Sequence, residues 1–242
     1  AVLAAVPSFS FGYQLGAPDA AAPALRACPP TTPQACFPVD TTSPEWGLAV
    51  GQMCVGALLG SLLFGRLCDR LGRKRAILAV NLVYTSGLVV TWWAGSLWWF
   101  AVGRLVVGVA VGASCVAVPV YLSDLVGRFG AFQWRGVIGS LHQMAIVVGY
   151  LTIQLLAFGV GGLEWRWLYT VNLIICVVHT ILFMLLAQDL KSGYTTGDVS
   201  IDNDDSGNTH KMTIVEVLRC DAARQSLVLA CTLHIVQQLS GI

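Results

Sequence analysis

Residues 76–123 read AILAVNLVYTSGLVVTWWAGSLWWFAVGRLVVGVAVGASCVAVPVYLS, and Arg104 is the single charged residue among them. A helix needs about 20 predominantly apolar residues to cross the hydrocarbon layer of a bilayer. The stretch therefore holds two crossings, and the chain has to turn inside it, near Gly95-Ser96. Backbone in lipid must close its own hydrogen bonds, which leaves helices or a closed barrel. A barrel strand would alternate apolar and polar residues with period two. Leu58-Leu59-Gly60-Ser61-Leu62-Leu63 has no such alternation. The crossings are helices.

Outward from this stretch the pattern repeats. Residues 1–18, 46–65, 136–163, 167–188 and 225–242 contain no Asp, Glu, Lys or Arg. Six spans and the start of a seventh are expected: an all-α, multi-pass transmembrane bundle. Residues 1–187 form the six-helix bundle, 188–223 a cytoplasmic linker, and 224–242 the beginning of a seventh helix. Composition agrees, since 56% of the residues are hydrophobic and only 11% are charged. A soluble domain needs about 25% charge to cover its surface. The first run lacks the basic flank of a signal peptide, and further spans follow it. Its short front edge, the absence of an initiating Met and the stop inside a seventh apolar run make the chain read as part of a longer protein, one bundle of two.

A net charge of +1 forms no stripe for nucleic acid. The basic residues crowd alternate loops instead. Arg66, Arg70, Arg73, Lys74 and Arg75 follow the second span, Arg128 and Arg135 the fourth, and Lys191, Lys211, Arg219 and Arg224 the sixth. The opposite loops hold only Arg26 and Arg166. By the positive-inside rule the even loops and the N-terminus are cytoplasmic. The membrane is the plasma membrane or an internal, vacuole-like one.

The loops carry little chemistry. Asp202-Asn203-Asp204-Asp205 lacks the spacing and the bidentate Glu of a calcium loop and reads as a solvated linker. No CxxC pair or histidine cluster suggests a metal, and no cofactor is expected. Cys54, Cys68, Cys115, Cys176 and Cys231 fall in or at the ends of spans, and the buried ones among them read as small packing residues. Cys28 and Cys36 share the first outer loop, where a disulfide can form.

Within the spans, small and polar residues are the informative ones. Gly56 and Gly60, and likewise Gly108 and Gly112, stand at the G-x-x-x-G spacing that lets helix backbones approach in lipid. Arg104 is either a snorkelling residue near an interface or a member of a helix-to-helix polar network. Gln143, Val147, Tyr150 and Gln154 fall at i, i+4, i+7 and i+11, one face of the fifth helix. His234, Gln237, Gln238 and Gly241 share a face of the seventh run. Amides both donate and accept, which suits a neutral polyhydroxylated ligand, although glutamines also glue helices together.

Several segments resemble the sugar porters of the major facilitator superfamily, which include the animal glucose facilitators. Gly65-Arg66-Leu67-Cys68-Asp69-Arg70-Leu71-Gly72-Arg73-Lys74 is similar to the superfamily loop G-x-x-x-D-R-x-G-R followed by Arg or Lys. Gly103-Arg104, Gly108, Gly112, Pro119, Tyr121 and Asp124 resemble the fourth helix of the family. Arg135-Gly136 and Gly139-Ser140-Leu141-His142-Gln143 resemble the fifth, Phe11-Gly12-Tyr13 the first, and Gln237-Gln238-Leu239-Ser240-Gly241-Ile242 the seventh. The resemblance implies hexose transport by alternating access, with no enzyme chemistry. It implies a sugar site of Gln143, Ile146, Val147, Gln237, Gln238 and Ile242, with Phe11 and Tyr150 close by. It also implies that Asp69, Arg73, Lys74, Arg104, Asp124 and Arg135 hold interhelical polar networks, several of them clasping the cytoplasmic side. Its partners would be a monosaccharide, the lipid bilayer and the second bundle of the same protein.

Departures from the family pattern sharpen the expectation. Proton-coupled members carry Asp directly after the first-helix FGY, where this chain has Gln14, which takes up no proton. Uniport is expected. Symport through Asp19 and a truncated or sensor-like product that moves nothing are the alternatives. Asp124 replaces the usual Glu, extra residues around Arg128-Phe129-Gly130-Ala131 separate it from Arg135, and Gln188-Asp189-Leu190 stands where the family has a PESPR-like segment.

Overall fold

The computed structural model describes residues 2–26, 40–128, 135–159 and 165–186, together with residues 225 and 232. The chain divides into two compact units, Ala1–Thr196 and Gly197–Ile242. The expected linker over 188–223, the seventh helix apart from residues 225 and 232, the Cys28–Cys36 pair and the acidic cluster at 202–205 lie outside the described residues. Among its described residues the first unit has six helices: α1 Val2–Arg26, α2 Pro44–Leu71, α3 Arg73–Trp92, α4 Leu97–Arg128, α5 Arg135–Gly159 and α6 Trp165–Leu186. Helix α2 starts where the sequence offers a cap. Ser43 Oγ accepts the Trp46 N–H at 3.3 Å, and Pro44 occupies the first turn, where no backbone donor is needed. Gly72 joins α2 to α3 at φ 80°, which a side chain would strain. Residues 93–96 turn the chain between α3 and α4, as Gly95-Ser96 led us to expect.

Among the described residues five helices carry an apolar stretch long enough to cross a membrane: Pro44–Phe64, Lys74–Trp92, Leu97–Leu125, Ser140–Gly159 and Trp165–Leu186. The sixth expected crossing, counted from the charge-free run 1–18, is a helix of sufficient length but lower apolarity. Helix α1 packs against α4, α5 and α6. Its Ser8, Ser10, Tyr13, Gln14, Ala17 and Ala21 are buried among them. A helix enclosed by its neighbours meets little lipid and tolerates polar residues that a peripheral helix does not. The outer faces are the reverse. Leu58, Leu62, Leu155, Phe158, Ile181 and Leu185 are all exposed, the pattern of a surface solvated by hydrocarbon.

The glycines set the helix pairs. A methyl group at Gly56 would strike the Leu105 carbonyl, one at Gly60 the Val109 carbonyl, and one at Gly112 the Ala57 carbonyl. The two G-x-x-x-G spacings thus face each other across the α2–α4 seam, and backbone rides on backbone where side chains would hold the helices apart. The same device joins α1 to α5, with Gly12 under the Ile146 carbonyl and Gly149 under that of Phe9. An aromatic cluster fills one end of the core. Phe100 stacks on Trp46 at 5.3 Å and meets Trp165 and Tyr169 edge-on at 6.4 and 6.2 Å. Ile77, Tyr121, Leu122 and Phe183 fill the other end.

Candidate functional site

Helix α1 and helix α5 frame the site. Their close approach at Gly12 places Phe11, itself half-buried, beside the turn of α5 that holds Ile146. One turn further, the Tyr150 ring edge lies against the position a side chain on Gly16 would take. Gln143, Val147 and Tyr150 are exposed along one stripe of α5, and Ile146 is half-buried at its edge. These five expected sugar-site residues therefore belong to one helix pair. Gln237, Gln238 and Ile242 lie outside the described residues. Toward the start of both helices, Ser8 Oγ and His142 Nδ1 are hydrogen-bonded at 2.7 Å and tie α1 to α5 beside Gln143.

The buried charge lies deeper. Arg104 is only 2% exposed and does not reach an interface. Its Nη1 donates to the Gln14 carbonyl at 2.9 Å and to Gln14 Oε1 at 3.2 Å. Both acceptors come from one residue of α1. Among the described residues Gln14 Nε2, Arg104 Nε and the Tyr169 hydroxyl, all buried, have no hydrogen-bond partner. Arg104 stands within electrostatic reach of Tyr169, Tyr84 and Asp19. Asp19 is exposed on α1, five residues beyond Gln14.

The rest of the expected polar set is placed elsewhere. Asp69 falls in the last turns of α2, Arg73 and Lys74 open α3, Asp124 is half-buried near the end of α4, and Arg135 opens α5. Because successive helices run in opposite directions, these five positions gather at one end of the bundle. Arg104 is twenty residues before Asp124 on α4, about 30 Å away at the helical rise. The six residues thus divide into a cluster at one end and a separate buried contact with α1.

A second polar chain was not anticipated from the sequence. Tyr84 on α3 donates to the Ser10 carbonyl at 2.6 Å and accepts from Asn172 Nδ2 at 3.4 Å. Cys176 donates weakly to Asn172 Oδ1 at 3.8 Å and lies 3.5 Å from Ser10 Oγ. One turn along, His179 Nδ1 meets Asn81 Nδ2 at 3.1 Å, and its Nε2 meets the Leu3 carbonyl at 2.9 Å. A carbonyl only accepts, so Nε2 carries the proton and the ring joins α1, α3 and α6. The signal was available: Tyr169, Asn172, Cys176 and His179 fall at i, i+3, i+7 and i+10 in an otherwise apolar run. The packing role expected of buried span cysteines applies to one of the three that are described. Cys176 is buried, but Cys54 and Cys115 are exposed, on sides of α2 and α4 turned away from the core.

The arrangement is a helical bundle with an open, amide-bearing face and a buried guanidinium, and comparison with known proteins agrees with it. The family model of "Sugar (and other) transporter" matches residues 1–242, the whole chain. The bovine (Bos taurus) solute carrier family 2, facilitated glucose transporter member 8, is 31% identical over 261 aligned residues, covering 100% of this chain and 51% of its own. The human (Homo sapiens) member 10 of the same solute carrier family is 43% identical over 123 residues, 51% of this chain and 22% of its own. The chain thus spans at most about half the length of these relatives. Among solved structures, the xylose transporter XylE from E. coli in an inward-open conformation aligns with TM-score 0.63 at 18% identity, over 77% of this chain and 47% of its own. The bundle has the major facilitator superfamily fold that XylE represents.

Proposed function

We propose that this chain, which belongs to the Sugar (and other) transporter family, supplies one bundle of a carrier that moves a hexose such as glucose by facilitated uniport. In alternating access two bundles rock around a ligand held near mid-membrane. The open stripe of Gln143, Val147 and Tyr150, with Ile146 and Phe11 at the α1–α5 seam, would contribute this bundle's half of the sugar site. Gln237, Gln238 and Ile242 would contribute from the seventh helix. Amide and aromatic groups there replace the water around the sugar hydroxyls, so no bond is made or broken. Asp69, Arg73, Lys74, Asp124 and Arg135, gathered at one end, suit a latch. Ion pairs between bundles favour one state and break in the other. With that end and the N-terminus in the cytoplasm, the latch would close the inner side.

The observation that carries uniport is the contact between Arg104 and Gln14. A buried guanidinium whose hydrogen-bonded partner has no titratable proton offers nothing there for a proton gradient to act on. Asp19 favours a second reading, proton symport, because it is a carboxylate within electrostatic reach of Arg104. Radiolabelled glucose uptake by the full-length protein, in cells lacking hexose transport, with and without a protonophore, separates the two. Saturable uptake that ignores the protonophore supports uniport. Uptake abolished by it supports symport through Asp19, and no uptake of any hexose despite correct insertion removes the transport reading.

A further inference from the structure

Beyond the contact of Gly56 with the Leu105 carbonyl, α2 and α4 stay joined through the stack of Trp46 on Phe100. The two helices also line a groove of about 660 Å³ whose lining includes Glu45, Leu48, Gln52, Trp98, Val102 and Leu105. Its volume lies within the range of small-molecule sites, and its wall is apolar except for Glu45 and Gln52.

The depth of the groove can be read from the helices. Glu45 and Trp98 both stand in the first turn of their helix, and α2 and α4 begin at the same end of the bundle. Trp93, Trp98 and Trp99 are 77%, 74% and 57% exposed at that end. Exposed tryptophans mark the headgroup level of a bilayer. Leu105 lies seven residues beyond Trp98, and Gln52 seven beyond Glu45, so the groove descends about 10 Å into the hydrocarbon layer. Its mouth presents an exposed carboxylate, Glu45, and an exposed indole, Trp98. That pairing attracts a cation through charge and through the ring quadrupole.

We propose that this groove seats one acyl chain of a phospholipid with an ammonium-bearing headgroup, from the leaflet on the side of the α3–α4 turn, with Glu45 and Trp98 engaging the head. The chain fills an apolar channel inside the membrane, and the carboxylate disfavours anionic heads. The proposal depends on the groove alone and not on which sugar is carried.

The test is native mass spectrometry of the full-length protein released from nanodiscs of phosphatidylcholine or of phosphatidylglycerol. The wild type is expected to retain phosphatidylcholine in preference to phosphatidylglycerol. Val102→Trp, which fills the groove from one wall, should release it. Glu45→Gln should weaken choline-lipid retention about two- to fivefold, the size of one exposed cation contact, and abolish the preference. If Val102→Trp fails to fold, Leu48→Trp fills the groove from the facing wall. Equal retention by the filled variants and the wild type overturns the site. Equal retention of the two lipids by the wild type overturns the headgroup assignment.

Discussion

Arg104 of α4 donates both of its interhelical hydrogen bonds to Gln14 of α1, one to the backbone carbonyl and one to the side chain. This buried charge is thereby held by a neutral residue, and the second acceptor can be removed by mutation. Gln14→Ala leaves the carbonyl but deletes Oε1, so a hydrogen bond to a charged group is lost at a cost of about 1.5–3 kcal/mol. The expected result is a clearly lowered melting temperature of the purified full-length protein, and an unchanged melt would mean that the side-chain contact contributes nothing.

Gln14→Asp should act on function. It places a carboxylate against the Arg104 guanidinium and gives that contact a titratable proton. We expect hexose uptake by this variant to depend on external pH more steeply than that of the wild type, measured in the same cells. Identical pH profiles would detach this contact from coupling.

The α2–α4 seam predicts a contrast between two glycines about 1.4 turns apart. A methyl at Gly56 would strike the Leu105 carbonyl, whereas nothing lies within 4 Å of one at Gly51. Gly56→Ala should destabilise by about 1–3 kcal/mol through overpacking. Gly51→Ala should leave stability unchanged or slightly raised, because alanine favours the helix. Thermal melts of the two variants side by side decide it.

Gln143 and Tyr150 are exposed on the α5 stripe, so truncating them removes no core packing. Gln143→Ala is expected to raise KM for hexose about two- to tenfold, the equivalent of one hydrogen bond, with normal expression. An unchanged KM would reduce these residues to surface.

His179 bridges Asn81 of α3 and the Leu3 carbonyl of α1. His179→Ala and Asn81→Ala should each destabilise the bundle, and in combination less than additively, with a coupling of about 0.5–3 kcal/mol. Strict additivity in a double-mutant cycle would remove the contact from the network that joins these helices.

What the sequence determined by itself was the solvent and the helices. Charge-free runs near the thickness of a bilayer, broken by loops with basic residues, are local quantities, and six helices stand where the runs predicted them. The spacing of Gly56, Gly60, Gly108 and Gly112 marked a close-packed seam, and resemblance supplied the family. Which faces meet follows from the packing of all the helices together. The rotation of each helix about its axis fixes whether a side chain looks inward, and that rotation is a property of all the contacts together. So Arg104, for which the sequence left two roles open, is buried against α1, while Cys54 and Cys115, equally apolar in context, face outward. The polar face of Asn172 and His179 is legible in the spacing of α6, but their partners Tyr84 and Asn81 lie on α3 and come within hydrogen-bond reach only when the two helices pack.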